Sequence, residues 1–218
     1  WIEVANILIG KLGKEFIDAV DKCLHDTGKF GINVAACFSL SGDVLSQWRA
    51  YADDGKGYAI GFSAIDLLNL PVTPLRVLYD PKKQVEELME SILMLFNTEK
   101  DKPNKYDGKF RTQCYLLSAE LASFKNPAFS EEKEIRLIHL LDLEPSNNFL
   151  KLIDAGGNYF GKERVGVKVQ HRVKQDSLTA FIEEDFTDNG QINPIKEVVI
   201  GPRNMMMETA VSIYLETE

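Results

Sequence analysis

Cysteine is scarce in this sequence, and its few copies are scattered. Of 218 residues only Cys23, Cys37 and Cys114 are cysteines, and none belongs to a C-x-x-C pair. An odd, widely spaced set argues against a disulfide framework and indicates a reducing compartment. The three histidines are isolated as well, so no metal site is predicted.

Long apolar runs are also missing. No run reaches the roughly 18 residues that a membrane span needs, and no signal peptide is visible. We therefore predict a cytoplasmic protein that has no contact with membranes. Because the chain starts at Trp1 rather than methionine, we expect an N-terminal part of the natural chain to be missing.

Positive charge is in short supply. Lys and Arg total 25 against 33 Asp and Glu, a formal net charge of −8. Such a chain repels phosphate backbones, which argues against bulk nucleic-acid binding. The basic residues that do cluster are interpreted as a solvated strand face: Lys162, Arg164, Lys168, His171, Arg172 and Lys174.

Hydrophobic residues make up 44% of the chain, enough for one sizeable core. Short strand patterns mix with helical ones without regular alternation, which predicts an α+β fold with a mixed, mostly antiparallel sheet and flanking helices. We predict a single domain over residues 1–218. Apolar residues at helical spacing in 82–97 and 109–124 indicate a helical insertion at about 82–124.

Four further segments have clear local patterns. Residues 2–26 predict one amphipathic helix, and 33–40 predict a buried strand. Residues 58–62 predict another strand. The glycine-rich stretch 154–158 predicts the turn of a hairpin between 149–153 and a strand within 164–173.

A first candidate site lies in residues 37–62, where a strand ends in hydroxyls, a helix carries two aromatics, and a glycine turn leads into a second strand. Trp48 and Tyr51 are three apart and should share a helix face, so their rings could stack on a planar ligand. The candidate ligand-binding residues are Ser39, Ser41, Trp48, Tyr51, Gly57 and Phe62. The alternative is that the aromatics are core residues and the serines cap the helix.

A second candidate site lies in residues 125–138. If 132–138 is extended, Glu132, Glu134 and Arg136 point to one face of the strand. Two carboxylates beside a guanidinium can hold a sugar hydroxyl and stabilise a developing positive charge, so these three are the candidate catalytic residues. A surface ion-pair ladder is the alternative.

The Ile-Gly-Pro-Arg segment at 200–203 follows a predicted strand and precedes the last helix. Its backbone amides could receive an anion, but an ordinary strand-to-helix turn is the preferred interpretation. No G-x-S-x-G or Walker loop is present, which disfavours a hydrolase nucleophile and a P-loop nucleotide site.

Five motifs, in this order and spacing, resemble a large bacterial family catalogued only as a domain of unknown function. They are Cys37-Phe38-Ser39, Trp48 with Tyr51-Ala52-Asp53, Gly57 with Ile60-Gly61-Phe62, Glu132 with Glu134 and Arg136, and Ile200-Gly201-Pro202. The resemblance covers roughly residues 33–218. The N-terminal aromatic-rich strand and N-D-P-x-E motif usual in that family are not recognisable here.

The family layout is similar to that of ADP-ribosyltransferases, which bind NAD across a split sheet. The resemblance implies that Ser39 and Ser41 match the serine element, that Trp48 or Tyr51 stacks on nicotinamide, and that Glu134 is the essential glutamate. It also implies a role in toxin or phage-defence systems. NAD is then a possible substrate rather than a certain cofactor.

Two functions stay open from the sequence. One is an enzyme that transfers ADP-ribose to a target or cleaves NAD. The other is a non-catalytic regulatory module that binds a small ligand or a protein partner, a role that the acidic charge and the helical insertion favour.

Overall fold

The computed structural model of the protein describes residues 1–29, 31–70, 72–159, 162–174, 176–187 and 190–217. Helices and strands are mixed along the chain, and helices flank small sheets of antiparallel strands. The predicted α+β class is confirmed.

Contacts divide the chain into two compact units. Unit 1 comprises Trp1–Phe38, Pro71–Ser130 and Ile135–Glu183. Unit 2 comprises Ser39–Leu70, Glu131–Glu134 and Glu184–Glu218. The single domain over residues 1–218 stays a prediction.

The elements alternate irregularly between helix and strand. The helices are α1 (Ile2–Leu12), α2 (Lys14–Asp26), α3 (Leu45–Tyr51), α4 (Ala64–Leu68), α5 (Pro81–Glu99), α6 (Gly108–Leu121) and α7 (Glu208–Thr217). The strands are β1 (Gly31–Ser39), β2 (Tyr58–Phe62), β3 (Thr73–Arg76), β4 (Glu134–Pro145), β5 (Leu150–Ile153), β6 (Gly157–Tyr159), β7 (Lys162–Arg164), β8 (Gln170–Lys174), β9 (Ser177–Phe181) and β10 (Ile195–Ile200). The strand predicted at 58–62 and the helices predicted at 82–97 and 109–124 are confirmed.

The N-terminal segment forms two helices, so the single helix predicted over residues 2–26 is wrong. The break is at Gly13, whose φ of 87° lies in the left-handed region that favours glycine. Buried residues continue at helical spacing on both sides of the break, Val4 and Leu8 before it and Phe16 after it. Periodicity alone therefore could not reveal the change of direction.

Helices α1, α2, α5 and α6 build the apolar core of unit 1. Its buried residues recur every three or four positions on α5 (Leu88, Ile92, Leu95) and α6 (Phe110, Cys114, Leu117). The Phe16 and Phe96 rings meet edge to face with centroids 5.0 Å apart. The helical pair thus shares this core with the N-terminal helices, and its interpretation as an insertion stays a prediction.

Strand β4 organises the sheet of unit 1, which has the order β1-β4-β3. Strand β5 pairs back onto β4, with Asp142 opposite Ile153, so the hairpin predicted between 149–153 and a later strand is wrong. The reason is a tight turn just before β5, closed by the bond from the Ser146 amide to the Phe149 carbonyl. The strand predicted at 33–40 exists as β1, but most of its side chains are exposed rather than buried, because it is an edge strand with small side chains.

In unit 2, β2 and β10 form an antiparallel pair with Val198 opposite Ile60 and one irregularity between Ile195 and Glu197. The short helix α4 follows β2 and begins with a capping bond, in which the Asp66 amide donates to the Ser63 hydroxyl. The exposed helix α7 closes the unit, with no buried residue among its described positions.

Replacing Ile92 by alanine is expected to destabilise the protein by roughly 2–5 kcal/mol, since it empties a fully buried position in the helical core. Urea unfolding monitored by circular dichroism measures the loss. Met94 on the same helix is 70% exposed, so Met94→Ala is the control and should stay within about 0.5 kcal/mol of wild type. Equal losses in both variants would contradict the assignment of the core.

Candidate functional site

The two sequence-predicted sites meet in unit 2. The Ser39 hydroxyl donates to the Glu132 carbonyl at 2.7 Å, and the Gln47 side-chain amide donates to the same carbonyl at 3.3 Å. The Leu40 amide also donates to the Lys133 carbonyl. The Ser39 oxygen in turn accepts a bond from the Ser41 amide. Both serines therefore take part in bonds that hold this turn.

The two residues of the predicted aromatic pair differ in burial. Trp48 is only 5% exposed, and its indole N–H donates to the Asp43 carboxylate at 2.8 Å. Tyr51 is 75% exposed. Both residues lie on α3, of which Tyr51 is the last residue. Trp48 anchors α3, which matches the alternative of a core aromatic.

The predicted catalytic residues Glu132, Glu134 and Arg136 do not all lie on the extended strand. Glu132 ends a short 3-10 helix, Pro127–Glu132, and Lys133 has a φ of 44°, so the extended strand starts only at Glu134. Glu134 is 5% exposed, whereas the Arg136 guanidinium donates to the Ala122 carbonyl. The prediction that residues 132–138 are all extended is therefore wrong at Glu132 and Lys133.

The glycine turn of the first site, at Gly55 and Gly57, packs closely against neighbouring backbone. A Cβ on Gly57 would lie 3.1 Å from Ala52 Cα. The Gly57 carbonyl accepts from the Gly201 amide at 3.0 Å, and the Arg203 amide donates to Gly55 at 2.8 Å. The anion site suggested for 200–203 is therefore wrong, because these amides already have backbone partners.

Phe62, the last of the predicted ligand-binding residues, packs against another aromatic ring in unit 2. The Phe62 ring meets the Phe186 ring edge to face, with centroids 5.7 Å apart. This contact joins β2 to the segment that leads into β10.

Sequence reasoning missed a cavity of about 590 Å³ in unit 1. One wall is a face of α2, where residues recur three and four apart: Ala19, Lys22, Cys23, Asp26 and the following Thr27. The other side is formed by the segment just before α6, by α6 itself and by β4: Tyr106, Phe110, Arg111, Thr112, Tyr115 and Asp142. A stripe of mixed polar residues on α2 was the available signal, but no motif marks it.

Aromatic rings and charges of both signs line this cavity. The Tyr115 hydroxyl donates to the Leu141 carbonyl at 3.2 Å, which fixes its ring against β4. The hydrogen bond with Lys29 holds the pKa of Asp26 below its usual range. Burial, with the nearby carboxylates of Glu144 and Asp154, raises the pKa of Asp142. The pKa values of these two cavity carboxyl groups, Asp26 and Asp142, are therefore shifted in opposite directions.

A fully buried carboxylate, Asp154, organises the adjoining loops of unit 1. It forms a hydrogen bond with His139 Nε2 at 2.9 Å and accepts one from the Arg164 guanidinium at 2.5 Å. The amides of Gly156 and Val167 each donate to it at 2.9 Å. Burial opposes ionisation, but these four bonds outweigh it and lower the pKa of Asp154 to about 2.

The buried bonds of Asp154 show that one prediction from the sequence, the solvated strand face, is wrong at Arg164. Arg164, assigned to a solvated strand face, has a side chain that is only 6% exposed because it is paired with Asp154. The aspartate opens the predicted glycine-rich turn, and Gly156 has a positive φ of 68°. The turn was visible in the sequence, but its buried partners were not.

Residues 47–137 match the family described as protein of unknown function (DUF2971). The match supports the expected resemblance to an uncharacterised family, and it spans α3 to the start of β4. The comparisons with curated proteins and with solved structures give no match. The α6 side of the cavity lies inside the matched segment and the α2 side outside it. Among the residues that the structure describes, no helix is long and apolar enough to cross a membrane.

Replacing Asp154 by asparagine is expected to cost roughly 3 kcal/mol at neutral pH, because Arg164 then stays buried without its counter-charge. The folded pKa of Asp154 is below the ordinary value of 3.8. The carboxylate therefore stabilises the fold above about pH 4 and loses this effect as the pH falls toward 2.

Chemical denaturation of wild type and variant between pH 7 and pH 2 measures this difference. The gap in unfolding free energy should narrow below about pH 4. Asp101→Asn changes an exposed aspartate of unit 1 and serves as the control. A gap that is constant across the range would show that the Asp154 charge is not responsible.

Proposed function

We propose that this protein is a regulatory module that binds a small organic molecule in the cavity of unit 1. The observation that carries the proposal is the cavity itself, about 590 Å³, a volume within the roughly 300–1,000 Å³ of typical ligand pockets. A non-catalytic ligand-binding role was one of the two functions left open by the sequence.

The lining supports a ligand of mixed character. Tyr106, Phe110 and Tyr115 offer ring surface for a flat apolar body. Lys22 and Arg111 offer charged donors for an acidic group. Asp26 and Asp142 offer acceptors for an amine or hydroxyls. A planar molecule bearing an acidic group and at least one donor fits this set.

Titration with 8-anilinonaphthalene-1-sulfonate, an aromatic sulfonate whose fluorescence rises in apolar sites, tests the cavity. Wild type should give one saturable site. Ala19→Trp places a large side chain into the α2 wall and should abolish it, whereas Ala36→Trp on the exposed face of β1 should not. Unchanged binding by Ala19→Trp would contradict the proposal.

The same titration tests the cations of the cavity. Arg111→Ala is expected to weaken binding of the sulfonate about tenfold, since a hydrogen bond to a charged group contributes roughly 1.5–3 kcal/mol. Lys109→Ala removes an exposed charge from the same helix outside the lining and is the matched control. Equal affinities of the two variants would place the sulfonate elsewhere.

A second candidate function is the cleavage of NAD or the transfer of its ADP-ribose to a target. It is favoured by the buried carboxylate of Glu134, which lies in the same unit as Ser39 and Trp48. A carboxylate in such surroundings can stabilise the oxocarbenium character that develops when the nicotinamide–ribose bond breaks.

Chromatographic assay of nicotinamide release tests this second function. Glu134→Gln should abolish release at unchanged helix content, whereas Glu131→Gln, an exposed glutamate of the same segment, should retain it. A role in phage defence would require that the same variant pair differ in phage plating. If wild type neither binds NAD in calorimetry nor releases nicotinamide, the enzyme function is refuted.

A further inference from the structure

A second, smaller cavity of unit 1 lies between α5 and α6, and its described lining residues are all different from those of the first cavity. We call it the α5–α6 groove, since it runs from Ser91 to Thr98 on α5 and from Gln113 to Glu120 on α6. The Ser91 hydroxyl donates to the Glu120 carboxylate at 2.8 Å at one end. The Thr98 hydroxyl lies 3.5 Å from Gln113 Oε1 at the other end, so the two helices run in opposite directions along the groove.

The middle of the α5–α6 groove is apolar. Its floor contains Leu95 and Leu117, which are buried and belong to the helical core. Its sides contain Met94 and Leu116, which are both more than half exposed. A single exposed apolar side chain is ordinary. Two that flank an apolar floor form a continuous patch, which is typical of an interaction surface.

The dimensions of the groove favour a helix as its occupant. Its volume of about 240 Å³ is below the roughly 300–1,000 Å³ of small-molecule pockets. The distance from Ser91 to Thr98 along α5 is about 10 Å, two helical turns. A helix satisfies its backbone hydrogen bonds internally, so it can cover an apolar floor that offers no backbone partners, whereas an extended peptide cannot. Apolar residues at i, i+4 and i+7 of such a helix would meet the groove.

Carboxylates gather at one end of the α5–α6 groove. Glu120 is half-buried there, and Glu87 is one helical turn before its partner Ser91, with Glu90 beside that serine. Among the described residues, no lysine or arginine forms an ion pair with these three glutamates. Burial and the Glu87 charge raise the pKa of Glu120, although the Ser91 bond opposes them. A cation supplied from outside would therefore stabilise this end.

We propose that the α5–α6 groove docks an amphipathic helix of another protein, which places apolar side chains between Met94 and Leu116 and a lysine or arginine against Glu120. This interaction surface is independent of the ligand cavity on α2 and α6. Charge argues against a second copy as the occupant, because the chain carries a net charge of −8. Its own exposed helix α7 contains Glu208 and Glu216 but no lysine or arginine.

Fluorescence anisotropy of the full chain with three labelled synthetic peptides tests the proposal. The first peptide has about 18 residues, enough to form a helix in water, with leucines at i, i+4 and i+7 and two lysines beside one end of this stripe. The second has glutamates in place of those lysines, and the third has the first composition with the stripe scrambled. The first should bind at one saturable site, and the other two at least about tenfold more weakly. Equal affinities, or no binding of the first peptide, would overturn the proposal.

A methionine variant tests the apolar contact. Met94→Ala should weaken binding of the first peptide about tenfold, since covering this side chain contributes roughly 1.5–3 kcal/mol. The exposed position of Met94 means that the loss does not come from unfolding, and the urea experiment above checks this. Met205→Ala removes an almost fully exposed methionine of unit 2 and is the matched control. Equal affinities of the two variants would place the peptide elsewhere and refute the docking site.

Glutamine variants test the charge contact. The double variant Glu87→Gln/Glu120→Gln should bind the first peptide about fivefold more weakly than wild type at low salt and lose most of the salt dependence. Glu86→Gln changes an exposed glutamate of the same helix outside the lining and should bind like wild type. A double variant with unchanged affinity would refute the role of the carboxylates.

Two further measurements identify the occupant and separate this surface from the cavity. Sedimentation should show wild type as a monomer; a dimer that Met94→Asp dissociates would make a second copy the occupant and overturn the proposal. Ala19→Trp, which fills the cavity of the proposed function, should bind the first peptide with unchanged affinity. Loss of peptide binding in Ala19→Trp would contradict an independent groove, whereas failure of dye binding alone refutes only the cavity.

Discussion

The burial of apolar stripes between α2 and α6 is the interaction on which the arrangement of unit 1 depends. Both helices turn one face to the core that they share with α1 and α5, through residues such as Val20 on α2 and Cys114 on α6. At the margin of this contact the side chains become polar, and there the cavity opens. A core contact and a candidate binding site are thus two parts of one helix interface.

A second constraint is that a charge removed from water must find partners. Asp154 meets this requirement with four hydrogen-bond partners, which lie on β4, just before β6, on β7 and just after β7. The charged residues of the cavity differ from Asp154 because their side chains border an open cavity. This contrast separates a carboxylate that holds the fold together from the cavity carboxylates to which we assign a role in the proposed ligand binding.

Local sequence patterns predicted the positions of helices and strands better than they predicted which of these elements pair or join. Helical spacing identified the helices α5 and α6, and the short apolar run at 58–62 identified β2. The same reasoning joined α1 to α2, because a glycine with positive φ does not interrupt the spacing of apolar residues. It also paired β5 with a later strand, whereas β5 pairs with β4. Turns lie on both sides of β5, and local sequence does not tell which of them closes a hairpin.

The amino-acid sequence by itself determined the α+β class, the apolar faces of the helices and the likeness of residues 47–137 to a family of unknown function, since each of these depends on residue type and short spacing. Only the tertiary structure decided that Trp48 is buried while Tyr51 is exposed, that Asp154 is the centre of a buried network, and that α2 and α6 enclose a cavity. The physical reason is that burial and proximity are set by contacts between segments far apart in the chain, which no local pattern encodes.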